Sequence, residues 1–196
     1  METPLSLLRA LPIRYPVELM PPSGFVPARL ETWPSVDGRL EFVEGKLLYL
    51  PPCADEQSEV VSGVVYELVS WVRQHPEFVV ATNEAGMLLK GAVRAADAAV
   101  WRKDSTHVHG TLRRVPPILA VEVAGEEDTV ASLRHKARWY VTHGVEVVWL
   151  VFPTERFVKV VSRSSTRTFH PGDALPAARS LPGLAPRVRD LFFQLG

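Results

Sequence analysis

Glu122 is the residue of this chain that most needs a chemical reason. It interrupts an otherwise apolar run, Pro117-Ile118-Leu119-Ala120-Val121-Glu122-Val123-Ala124. A carboxylate inside such a run costs on the order of several kcal/mol unless it is paired, protonated or bound to metal. Asp97 poses a similar question at the head of Asp97-Ala98-Ala99-Val100-Trp101. Small residues flank both acids and leave room beside them. Two carboxylates at the ends of adjacent strands suit Mg²⁺ (or Mn²⁺), which takes hard oxygen ligands, keeps several waters and needs only one or two protein carboxylates. Such a pair supports metal-assisted hydrolysis, and a neighbouring lysine would stabilise negative charge developing on a phosphate or orient the attacking water. Lys136 is the candidate for that lysine. It lies about two helical turns into the helix that follows Glu122 and shares a stripe with Tyr140, four residues on. Each residue also has a plainer reading. Glu122 would pair with a core-lining Lys136 or Arg138, Asp97 would cap a turn, and Lys136 would sit on the exposed side of an amphipathic helix.

The elements that must hold these residues follow from periodicity. Val60, Val61, Val64, Val65, Leu68, Val69 and Val72 recur at helical spacing and predict a helix over residues 56–74. The run around Glu122 predicts a central strand buried on both faces. Asp128 or Thr129 can cap a helix over 129–143, which Gly144 ends in a left-handed conformation, and a second buried strand follows at 145–152. Residues 156–161 return as another strand. With strand period two, Glu122 shares a face with Ile118, Ala120 and Ala124. Residues 40–50 read as a hairpin turning at Glu44-Gly45, closed by Pro51-Pro52. Short apolar runs at 78–81, 87–89 and 97–101 suggest an antiparallel meander, and 102–116 a polar loop. The proline-rich segment 1–38 reads as an irregular arm ahead of one domain over 39–196. The tail, with Leu181, Leu184, Val188, Leu191, Phe192 and Phe193, is apolar enough to dock on that domain.

Composition narrows the partners. The chain has 196 residues, 22 basic against 22 acidic, and a formal charge of zero, so any nucleic-acid contact must use a local patch. The short clusters Arg113-Arg114, Arg102-Lys103 and Arg163 with Arg167 are candidates for phosphate contacts. One cysteine, Cys53, allows no internal disulfide, and a reducing cytoplasm fits that content. No apolar run approaches the roughly 18 to 20 residues of a membrane span. His107-Val108-His109 lacks further ligands at zinc spacing, and Ser62-Gly63 falls on a helix rather than at a nucleophile elbow.

Taken in order, Asp97, Glu122-Val123, Lys136-x-x-x-Tyr140, Gly144-Val145 and Trp149-Leu150-Val151-Phe152-Pro153 resemble the Uma family of restriction endonucleases in the PD-(D/E)XK superfamily. Leu40-Glu41-Phe42-Val43-Glu44-Gly45-Lys46-Leu47 resembles that family's opening hairpin, and Leu181-Pro182-Gly183-Leu184 with Asp190-Leu191-Phe192 its closing segment. The resemblance implies an α/β, restriction-endonuclease-like core: a central mixed β-sheet flanked by helices. It implies that Asp97 and Glu122 are the metal carboxylates, that Val123 lends its backbone carbonyl, and that Lys136 is a lysine migrated from the strand, where Ala124 now stands. Glu41, or else Glu44, would add a carboxylate from the hairpin. The implied activity is Mg²⁺-dependent cleavage of DNA, and a two-fold dimer suits cleavage of both strands. Two departures stand out. Ala96 replaces the proline that precedes the aspartate, and Gln57, Ser58 or Glu59 stands near the place of a histidine at the start of the first long helix. They motivate the alternative of a nuclease fold kept only as a nucleic-acid-binding or assembly module.

Overall fold

The computed structural model describes residues 14–53, 55–103 and 112–196; His107 and His109 lie outside them. Among the described residues a mixed sheet of nine strands runs β1–β3–β2–β5–β6–β7–β8–β9, with β4 paired to β5 off this path. The strands are β1 (Val17–Leu19), β2 (Arg39–Val43), β3 (Lys46–Leu50), β4 (Phe78–Leu89), β5 (Ala92–Arg102), β6 (Leu119–Val123), β7 (Val147–Phe152), β8 (Phe157–Ser162) and β9 (Thr166–Phe169). Helix α1 (Asp55–Val72) and helix α2 (Val130–Thr142) flank the sheet, and a 3-10 segment at Val188–Leu195 closes the chain. The strands carrying Asp97 and Glu122 are adjacent and antiparallel, whereas β6 and β7 are parallel across α2. No described helix is long and apolar enough to cross a membrane.

Alternation along the central strands sorts the core into two layers. Leu119, Val121 and Val123 of β6, with Val147, Trp149 and Val151 of β7, face α1 and the tail. Ala120 of β6, with Val148, Leu150 and Phe152 of β7, faces α2. Helix α1 presents Val60, Val64, Leu68 and Trp71 to the first layer, each buried and each worth roughly 1.5–3 kcal/mol. Helix α2 presents Leu133, Ala137 and Tyr140 to the second. Thr129 and Ser132 form a capping box at its start, and Gly144, with φ of 101°, ends it as its position implied.

The hairpins obey turn chemistry. Glu44 and Gly45, with φ of 52° and 80°, join β2 to β3 as a type I′ turn matches strand twist. The segment read as three short strands is instead two long ones, β4 and β5, paired almost throughout. Asn83 and Glu84, with φ of 56° and 63°, form a bulge between Thr82 and Ala85 where the sequence suggests a break. A bulge adds a residue without ending the ladder, so polarity there marks a kink and not a loop.

One strand organises the rest. β4 occupies one whole edge of β5, but the opposite edge is divided: β2 pairs with it at Phe42↔Val93, and β6 pairs with it only over Ala98 to Val100. Between these contacts, around residues 94–97, β2 and β6 part and leave a gap in the sheet.

The tail docks on α1 through a glycine. A Cβ at Gly63 would stand 2.5 Å from the Leu191 carbonyl oxygen. On an open helix face Gly→Ala gains up to about 1 kcal/mol. Here Gly63→Ala should instead destabilise by about 1–3 kcal/mol through overpacking, read as a lower urea midpoint in equilibrium unfolding. A midpoint equal to or above that of the parent would show that the tail moves aside freely.

Candidate active site

The gap beside β5 is filled by charged side chains, and each comes from a different element. Ala95, paired with β4 but without a strand on the other edge of β5, donates its N–H to Glu41 Oε1 at 3.2 Å and offers its carbonyl to Lys136 Nζ at 3.4 Å. Two residues further on, the ladder to β6 is replaced by a side chain: Val123 N–H donates to Asp97 Oδ2 at 2.7 Å. The backbone groups left by the missing strand are thus satisfied by the site residues themselves.

Glu122 points from β6 toward α2. Its Oε2 accepts from Lys136 Nζ at 2.8 Å, and its Oε1 accepts from the Tyr140 hydroxyl at 2.6 Å. The stripe that Lys136 shares with Tyr140 therefore ends on one carboxylate. Lys136 also reaches Glu41 Oε1 at 3.0 Å, and Glu41 Oε2 accepts from Arg94. Lys136 is not on the exposed helix face, and Arg138, which is exposed, is not the partner of Glu122. On the far side of Asp97, Arg39 Nη1 lies 3.5 Å from Asp97 Oδ1 and 2.9 Å from Glu84 Oε1. The bulge in β4 is what carries Glu84 there.

The structure thus brings Glu41, Asp97, Glu122 and Lys136 together. Glu44 remains exposed on its turn. Val123 turns its carbonyl to Gln57, whose Nε2 donates to it at 2.8 Å, so among the three residues near the expected histidine position Gln57 is the one buried at the site. Arg39, Glu84 and Arg94 escaped the sequence reading. Alternation makes strand charges look solvent-facing, and Glu41 is 53 residues from Arg94, so no local spacing reveals the pair.

Burial decides the electrostatics. Glu41, Asp97 and Glu122 are 3%, 6% and 4% exposed. Burial pushes the Glu122 carboxyl up to about 8, although Lys136 pulls it down, and Asp97 and Glu41 add to the rise. Asp97 is also raised by burial, against the pull of Lys136 and the Val123 N–H. Glu41 goes the other way, because Lys136 and Arg94 outweigh its burial. Lys136 is held above its ordinary range: burial opposes the ammonium, but Glu122 and Glu41 prevail.

Four acids, Glu41, Glu84, Asp97 and Glu122, therefore face three cations, Arg39, Arg94 and Lys136, and burial holds three of the acids, Glu84, Asp97 and Glu122, above their ordinary range. That donor set fits a divalent cation. Among the described residues, the acidic ligand group that closes to within 4.8 Å is Cys53, Glu84 and Asp97; Glu122 stands outside it, on the Lys136 side. A cavity of about 360 Å³ opens onto Glu41, Asp97, Glu122 and Lys136 between the β2–β3 hairpin and α2, with Leu48 and Leu50 on one wall and His135 and Trp139 on the other.

A family model described as "Putative restriction endonuclease", Uma2, matches residues 27–191. The chain belongs to the Uma2 family. The match begins within the proline-rich arm and takes in every residue of the cluster. The fold is also that of a crystal structure of a "putative nuclease belonging to DUF820" from Anabaena variabilis, 19% identical, with a TM-score of 0.75 over 85% of this chain and 96% of that one. None of the curated proteins compared with the chain matches it. The Uma2 chain thus has a nuclease fold whose sheet gap holds a buried cluster of opposite charges.

The raised Glu122 carboxyl has a signed consequence for stability. Its folded value, about 8, lies above its ordinary 4.5, so the folded state binds the proton more tightly and loses stability as pH rises from 4.5 to 8. Glu41, lowered on folding, acts below that window. In metal-free protein the urea midpoint should fall across this range, and Glu122→Gln should flatten the fall. Parallel profiles for the two proteins would show that Glu122 is ionised throughout.

Proposed function

We propose that this Uma2 protein is a metal-dependent endonuclease that hydrolyses DNA phosphodiester bonds in the cleft beside β5. The observation that carries the proposal is the reach of Lys136 from α2 to both Glu122 and Glu41, beside Asp97, in an open cavity. A fold needing only stability would fill this gap with apolar side chains, since a buried ion pair often does no better than a well-packed hydrophobic replacement. Here the charges are retained where solvent and a ligand can enter.

Asp97, Glu122 and the Val123 carbonyl would hold Mg²⁺ or Mn²⁺, which supplies a Lewis acid for the phosphate and a bound water of lowered pKa. Asp97 is kept in place by the Val123 N–H and Arg39. Lys136 stays cationic and supplies positive charge where the phosphate gains negative charge. Glu41 orients Lys136 and shares it with Glu122. Tyr140 fixes the Glu122 carboxylate through Oε1 and leaves Oε2 on the cleft side with the lysine. Cleavage of both strands would need two such clefts facing opposite strands, as in a two-fold dimer.

One contact favours a second reading, in which the fold survives as a binding or assembly module. The Gln57 amide already occupies a lone pair of the Val123 carbonyl. Calorimetric titration separates the two readings: the nuclease binds Mg²⁺ or Mn²⁺ at millimolar concentration, whereas the module binds neither and leaves plasmid DNA intact.

Supercoiled plasmid incubated with Mg²⁺ or Mn²⁺ should be nicked by the parent protein. Asp97→Asn and Glu122→Gln should each lower the rate at least about a hundredfold, and Lys136→Met by a similar order, the loss typical of removing one stabiliser of transition-state charge. Thermal unfolding run beside the assay controls for folding. Undiminished nicking by Glu122→Gln would sink the assignment.

A further inference from the structure

We infer that the flank of α2 turned away from the cleft is a second, non-catalytic phosphate site, which grips the nucleic-acid backbone after it leaves the active site. Arg134 and Arg138 lie four residues apart on one stripe of α2. Across a groove of about 250 Å³, Arg163 faces them from the end of β8, with Thr142, Ser162 and Thr166 in the lining. The sequence alone groups Arg163 with Arg167; the fold places it instead beside two arginines some 25 residues earlier.

All three arginines are exposed, and none has a carboxylate within 4.0 Å among the described residues. Glu146 is the nearest acid along the ladder, one step beyond the Val147↔Ser162 pair, and forms no ion pair. Like charges four residues apart on a helix repel, by roughly 0.2–0.5 kcal/mol. Arg39 and Arg94 in the same chain are each neutralised by a glutamate. In a protein of zero formal charge, three uncompensated guanidinium groups in one groove mark a place for an external anion.

Helix geometry connects the groove to the cleft. At 3.6 residues per turn, Arg134 and Arg138 occupy one flank of α2, while His135 and Trp139 occupy the other and line the cleft. The exposed ridge of α2 is therefore a saddle between the two. Its width, about 10–12 Å, equals roughly three steps of 3.4 Å along a DNA strand. Bidentate guanidinium forks suit phosphodiester oxygens. Only the identity of the anion rests on the nuclease reading.

The test is binding of a fluorescein-labelled DNA duplex, by anisotropy against salt, with Ca²⁺ in place of Mg²⁺. The triple variant Arg134→Gln, Arg138→Gln, Arg163→Gln should bind about tenfold or more weakly, with the log–log salt slope smaller by about 2 to 3, near 0.9 per lost phosphate contact. Hydrolysis of bis(p-nitrophenyl) phosphate, too small to reach the groove, should be unchanged. A control with the same charge change elsewhere, Arg179→Gln, Arg187→Gln, Arg189→Gln, should keep the parent slope. Parent-like binding by the first variant, equal losses in both, or no binding by the parent overturns the groove. A parent that binds through the groove but never nicks DNA keeps the groove and removes the nuclease reading; a parent that nicks while the first variant binds normally does the reverse.

Discussion

The site depends on a sheet that fails to close. β5 gives one edge wholly to β4 and divides the other between β2 and β6, so a stretch of backbone around residues 94–97 lacks a neighbouring strand. Buried amides and carbonyls must find partners somewhere. Glu41 takes the Ala95 N–H, Lys136 takes the Ala95 carbonyl, and Asp97 takes the Val123 N–H from the strand that turns away. The carboxylates therefore complete the fold and furnish the cleft with the same atoms. Removing one of them leaves an unsatisfied backbone group as well as an unpaired charge.

That double duty explains the charge pattern. The buried acids draw on cations from three elements: Arg94 from β5 and Lys136 from α2 hold Glu41, Lys136 also holds Glu122, and Arg39 from β2 holds Asp97. Pairing is nevertheless incomplete, because desolvation leaves Asp97 and Glu122 above their ordinary ranges while Glu41 falls below its own. Such uneven environments for neighbouring carboxylates occur at reactive centres and in structural ion-pair networks alike.

Much of this was legible in the sequence, for identifiable reasons. The two-sided burial of β6 and β7, the helix over α2 and its termini followed from apolar runs, the Thr129 cap and Gly144, all local signals. Glu122 announced itself by polarity against its surroundings, whereas Lys136 was singled out mostly by the resemblance to the family's motif order. Other features were hidden because they arise from non-local pairing. Asn83 and Glu84 look like a loop until β5 supplies a partner ladder that tolerates a bulge. Arg39, Glu84 and Arg94 look like solvated strand residues until the gap brings acids to them. Gln57 could not be separated from Ser58 or Glu59, because a helix start says little about which side chain faces a strand 66 residues away.

The placement of the lysine has a further consequence. A lysine on the acid-bearing strand would be fixed to the carboxylates by a short run of backbone. Lys136 instead belongs to a helix, and its distance from Glu122 is set by how Leu133 and Ala137 seat α2 on β7 and β8. Packing volume under the helix thus becomes an adjustable spacer between the ammonium and the carboxylates. Exchanging buried methyl groups there would shift the ammonium against the carboxylates without altering any charged residue of the cluster.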